Sequence, residues 1–131
     1  MIIPCEISVK SVVPAIKAAI AKELVERHGL KQTQVAEILS MSQSAVSKYT
    51  LEVRGHVISM GEVGEASSMI DTMVNLLLAE THTREEFLKI FCSVCAAVRK
   101  DGLMCPLCKK TEPEIKKQGC DYCLVETDST I

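Results

Sequence analysis

Residues 32–51, QTQVAEILSMSQSAVSKYTL, leave this chain few ways to fold. Val35, Leu39, Met41 and Val46 recur at the spacing of two short helices that wedge apolar side chains between them. Ala36 is small at the point where the two backbones must approach. Ser40 falls in the turn between them, at a position where φ is positive and glycine is the usual choice. Ser42 is the kind of residue that caps a helix start. The pattern predicts a helix from Gln32 to about Leu39, a tight turn, and a crossing helix from Gln43 to Thr50.

The rest of the chain supports helices as well. Hydrophobic residues make up 47% of its 131 residues, but it has no Trp, two Phe and two Tyr, so the core must be aliphatic. Ile16, Ile20 and Leu24 repeat four apart. The spacing predicts a first helix from Ser11 as N-cap, with Pro14 in its first turn and Gly29 as its stop. The Arg54-Gly55 pair then breaks the pattern. Over residues 62–80, Val63, Ala66, Ile70, Met73 and Leu77 alternate three and four apart, as in a helix-packing seam. Such a stripe serves as a core helix, as a dimer interface, or as both if one edge faces inward and another faces a partner. Thr83 and Glu86 form a capping box that opens another helix, with Phe87, Phe91, Val94 and Val98 on one face. Beyond Arg99 the periodicity gives way to Gly, Pro, Lys and paired cysteines. The fold class expected is all-α, with residues 1–82 as one unit and residues 83–131 as a helix plus a cysteine-rich segment.

Two polar helices crossing around an apolar wedge make a helix-turn-helix, whose second helix can enter the DNA major groove. On that helix Ser42, Gln43, Ser44, Ser47 and Lys48 project outward. Gln pairs with adenine edges, Ser donates to bases or phosphates, and Lys favours phosphate or guanine. Gln32 is placed to touch a phosphate, and Arg54 to anchor the DNA backbone beyond the helix. The alternative is a packing unit whose polar positions merely face water. Charge bears on this. The net charge of −2 excludes a protein that coats nucleic acid indiscriminately, yet residues 1–58 hold seven Lys/Arg against five Asp/Glu. A mildly basic reader that gains affinity as a homodimer is the natural expectation. No run reaches the length of a membrane span and no signal peptide is evident, so the expectation is a cytoplasmic protein.

Six of the seven cysteines fall in three CxxC pairs: Cys92 and Cys95, Cys105 and Cys108, Cys120 and Cys123. A CxxC hairpin brings two thiolates to one metal. All three histidines, His28, His56 and His82, lie outside the block, so the site is all-sulfur and suits zinc or an iron–sulfur centre. Two quartets compete. One joins Cys105, Cys108, Cys120 and Cys123, with Pro106 and Gly119 aiding the turns. The other joins Cys92, Cys95, Cys105 and Cys108. A cluster held by three cysteines remains open, leaving others to form a disulfide. Cys92 and Cys95 also read as small core residues beside an apolar stripe. Cys5 stands alone, as a buried or free thiol. A thiol–disulfide enzyme would want its CxxC at a helix start after a strand. The first pair falls inside a helix, so no enzyme is expected.

Residues 5–55 resemble the lambda-repressor-like, or XRE-family, regulators, especially short archaeal ones. The likeness rests on Pro4-Cys5-Glu6, Val13-Pro14-Ala15-Ile16, Gln34-Val35-Ala36-Glu37-Ile38-Leu39 and Ala45-Val46-Ser47-Lys48-Tyr49. The resemblance implies a bundle of about five helices and a two-fold dimer on a pseudo-palindromic double-stranded operator. Cysteine tails like this one occur among these regulators, and the pairing of Cys92 and Cys95 with Cys105 and Cys108, with Arg99 and Gly102 between the pairs, is the closer match to them. The likeness implies an iron–sulfur cluster, 3Fe-4S or 4Fe-4S, that senses redox state or iron. A structural zinc site is the alternative, as is a helix-turn-helix that contacts protein instead of DNA. No small-molecule substrate is implied.

Overall fold

The computed structural model describes residues 3–51, 58, 64–79 and 81–124. Among them, regular structure is entirely helical. Arg54, His56 and Val63, which carried expectations from the sequence, lie outside the described residues.

The chain begins with a helix that the spacing did not predict. Helix α1 spans Pro4–Lys10 and α2 spans Val12–Lys22, with Ser11 at the joint. Ser11 was expected to cap the first helix through its side chain. Instead its hydroxyl turns back and donates to the Ile7 carbonyl at 2.7 Å, the back-bonding available to serine in and beside helices. That satisfies a buried hydroxyl and lets α2 start at an angle to α1. After Lys22 the helix widens into a π-helical turn, Glu23–Arg27. Gly29 then ends it as expected, at φ +65°.

Helix α2 is the hub. Val12, Ile16, Ile20, Ala21 and Leu24 are fully buried, and α2 with its π turn packs on α1, α3, α4, α5 and α6. Helices α3 (Gln32–Ile38) and α4 (Gln43–Thr50) lie where the sequence placed them. Ser40 does adopt positive φ, +53°. Because an L side chain is strained there while glycine is not, Ser40→Gly is expected to stabilise the chain by about 0.5–1 kcal/mol. A thermal melt should show a gain of roughly 2–6 °C, and a loss would contradict the strain argument.

Helix α5 (Gly64–Leu78) and α6 (Arg84–Lys100) form an antiparallel pair across α2. Thr83 and Glu86 cap α6 reciprocally as predicted, each side-chain oxygen accepting from the other's backbone at 3.2 Å. The regular seam on α5 resolves as core, since Ala66, Ile70, Met73 and Leu77 are all buried within the chain. These four side chains are covered by the chain's own helices. On α6, Val94 and Val98 are buried, while Phe87 and Phe91 are partly covered, their rings 5.9 Å apart. The tail adds two short helices, α7 (Cys105–Thr111) and α8 (Glu114–Gln118). Met104, just before α7, is fully buried, and the Ser8 hydroxyl of α1 donates to its Sδ at 3.2 Å. No helix among the described residues is long and apolar enough to cross a membrane.

Candidate nucleic-acid interface and cysteine site

Helix α4 divides cleanly by side. Val46 and Tyr49 are buried against the core, while Ser42, Gln43, Ser44 and Lys48 are exposed and Ser47 is half-buried. The helix starts where it does because the Ser42 hydroxyl accepts from the Ala45 backbone N–H at 3.1 Å. At the other end, the Thr50 hydroxyl donates to the Ser47 carbonyl at 3.1 Å. The result is a short, rigid rod with a row of small polar side chains on its outer face and little to obstruct its approach to a groove. Gln32 opens α3, half-buried, beside the exposed Lys31. The Lys31 backbone N–H donates to the Gln34 side-chain oxygen at 2.9 Å, fixing the start of α3. Six of the seven residues expected to touch DNA thus lie on or at the start of α3 and α4, and Arg54 falls outside the described residues.

The cysteines sort into two groups. Cys105 and Cys108 lie on α7, with Pro106 in its first turn. Cys120 and Cys123 follow Gly119, which ends α8 at φ +76°. The chain then folds back onto the end of α6. A Cβ added at Gly102 would meet Leu124 at 3.3 Å, and Gly102 itself sits at φ +76°. Only glycine fits both conditions without strain. In this arrangement burial pushes the Cys108 thiol up, and the nearby sulfurs of Cys123, Cys105 and Cys120 push the same way. The sulfurs that act on Cys108 are thus those of the tail segment.

Cys92 is exposed and Cys95 half-buried on α6, and the Cys95 thiol donates to Ser8 Oγ of α1 at 3.7 Å. Burial raises the Cys95 thiol above its ordinary range. The Ser8 contact and Arg99 pull it down, and the sulfurs of Cys5 and Cys92 add to the rise. Cys5 on α1 is a free, exposed thiol, one of the two states expected of it, and its sulfur contributes to the rise at Cys95.

Arg99 lies between the groups. Its Nη2 donates to Cys123 Sγ at 3.5 Å, and its Nε is buried without a hydrogen-bond partner. Burial works against its charge, but the Cys123 hydrogen bond and the sulfurs of Cys123, Cys95 and Cys5 outweigh that and hold its pKa above the ordinary value. From the sequence Arg99 stood out only by its place between the Cys92–Cys95 and Cys105–Cys108 pairs, and Ser8 did not stand out. Arg99 had a further signal, one helical turn beyond Cys95, whereas Ser8 had none.

Among the described residues no three Cys, His, Asp or Glu side chains converge on a common point as metal ligands. The quartet of Cys105, Cys108, Cys120 and Cys123 nonetheless has the chemistry for one. Its four thiols supply a soft donor set, and Arg99 is a half-buried cation whose nearby partners are sulfurs, with one N–H left over. Thiolates on a metal would supply negative charge beside this guanidinium. No protein-family model, curated protein or solved structure matches the chain.

Proposed function

We infer that the chain is a sequence-specific binder of double-stranded DNA, working as a homodimeric transcriptional regulator, with a metal centre in its cysteine tail. The observation that carries the reading is α4. Its apolar side is buried, a serine caps its start, and a row of exposed Ser, Gln and Lys side chains runs along its outer face. That is the shape and chemistry of a helix that reads base edges in a major groove. With Lys48 as the cation on that face of α4, hydrogen bonding carries much of the contact, and affinity depends on two copies reading a two-fold site. Ala66, Ile70, Met73 and Leu77 are covered within the chain, so pairing through α5 would use its other edge.

For the tail, the reading favours Cys105, Cys108, Cys120 and Cys123 as the ligands. Zinc held there would tie α7 to the returning segment, whereas an iron–sulfur cluster would add sensitivity to oxygen, iron supply or redox poise. Arg99 would donate to the Cys123 sulfur and offset the charge of the four thiolates. Met104 would link any shift of α7 to Ser8 on α1, and α1 lies against α2, on which α4 packs.

The test is selection of duplexes from a random pool with protein purified without oxygen, then anisotropy titrations over a range of salt. A two-fold consensus is expected, with log affinity falling linearly in log salt at a slope set by a few phosphate contacts. Failure to enrich any sequence would reject DNA reading in favour of a protein-contacting role. Metal analysis and absorbance of the same sample decide the tail. A brown protein absorbing near ~400 nm carries a cluster, a colourless one with zinc carries a structural site, and Cys108→Ser should lose either.

A further inference from the structure

Three cysteines fall outside the quartet, and the fold brings them together from opposite ends of the chain. Cys5 and Ser8 lie one turn apart on α1, and Cys92, Cys95 and Arg99 lie one turn apart on α6. Ser8 Oγ is 3.7 Å from Cys95 Sγ, so that edge of α1 lies on that edge of α6. Helix positions three apart are only about 5–6 Å from each other at Cβ. Cys5 therefore sits within a turn of the Ser8–Cys95 contact, and its sulfur acts on both Cys95 and Arg99. Cys5 is exposed, whereas Cys95 is half-buried. The first can meet a small reagent from solvent, and the second stays sheltered until the first has reacted.

We propose that Cys5 and Cys95 are a redox-responsive dithiol that closes into a disulfide between α1 and α6, separate from the metal-binding quartet. The oxidant is a low-molecular-weight disulfide. The exposed Cys5 thiolate attacks one of its sulfurs, forming a mixed disulfide and expelling one small thiolate. The Cys95 thiolate then attacks the Cys5 sulfur, forming the Cys5–Cys95 bond and expelling the second small thiolate. The protein loses two electrons and two protons, and the small disulfide leaves as two thiols. Closure needs the two Cβ atoms at about 3.5–4.5 Å, so oxidation requires α1 to bring Cys5 onto Cys95 from its place one turn from the Ser8 contact. The bond replaces the Cys95–Ser8 hydrogen bond with a covalent staple from the first helix of the helix-turn-helix unit to the helix that leads into the tail.

The experiment treats the full chain, with whatever metal it carries as purified, with oxidised glutathione. Remaining thiols are then alkylated and the peptides mapped. Two thiols should disappear, and a peptide joining Cys5 to Cys95 should appear. Cys5→Ser should abolish that peptide while leaving the circular dichroism and the metal content unchanged, and Cys92→Ser should retain it. The idea is overturned by a stable mixed disulfide on Cys5, by pairing of Cys5 with Cys92, or by loss of metal in Cys5→Ser, which would make Cys5 a ligand. A chain that carries no metal sinks the proposed metal centre but leaves this test intact.

Discussion

Replacing Ile16 with alanine is expected to cost about 2–5 kcal/mol of unfolding free energy. Ile16 is fully buried on α2, the helix on which α1, α4, α5 and α6 all pack. Removing its branched side chain forfeits the transfer of those atoms out of water and leaves a cavity between several helices. A site enclosed from so many directions relaxes little, so the cost falls toward the upper part of that range. Domains of this size have only about 5–15 kcal/mol in total, so the change is a large fraction of the stability. Urea denaturation monitored by circular dichroism would read it as a lower midpoint with an unchanged slope. A loss below about 1 kcal/mol would mean that α2 is not the hub described. Val13, half-buried on the same helix, should cost visibly less when cut to alanine.

The second large effect concerns binding. Gln43→Ala should weaken affinity for the selected duplex by roughly 10- to 100-fold, since a bidentate contact to a base edge is worth about 1–3 kcal/mol of discrimination. Gln43 is exposed at the start of α4 and its removal uncovers nothing, so the melting curve should stay where it was. The loss should be specific, relaxing the preference at one position of each half-site. Lys48→Ala should behave differently, weakening all duplexes alike and flattening the salt dependence. Ser67→Ala, on an exposed position of α5, should change neither. If Gln43→Ala and Ser67→Ala proved indistinguishable on the selected duplex, α4 would not be the reading helix.

Local signals carried well from sequence to structure. The Ser42 cap, the positive φ at Ser40, the stop at Gly29 and the Thr83–Glu86 box each depend on residues within a turn of each other, and each is found. One local signal misled, and two matters turned on distant partners that spacing does not reveal. Ser11 resembled a cap because serine ahead of an apolar run usually is one, but the Ile7 carbonyl one turn back offered its hydroxyl a better acceptor. The seam on α5 had one periodicity for two uses, and only the position of α6 against it decides for the core. The cysteine pairs were plain from spacing, yet spacing says nothing of which pairs meet. That depends on the return of the chain over Gly102, where Leu124 fits against a missing side chain, and on the docking of α1 beside Cys95. Charge counts were similarly blind to Arg99, whose weight comes from the sulfurs around it.

The hydrogen bond from Ser8 to Met104 joins residues 96 positions apart, and this imposes an order of events during synthesis. Ribosomes add about 5–20 residues per second, so α1, though it can pack on α2 at once, must wait on the order of 5–20 s for its Met104 partner. The helix-turn-helix unit can gather around α2 in that interval, but one flank of α1 stays bare until the tail arrives. A nascent chain halted before Met104 should therefore expose α1 to proteases that spare the released protein.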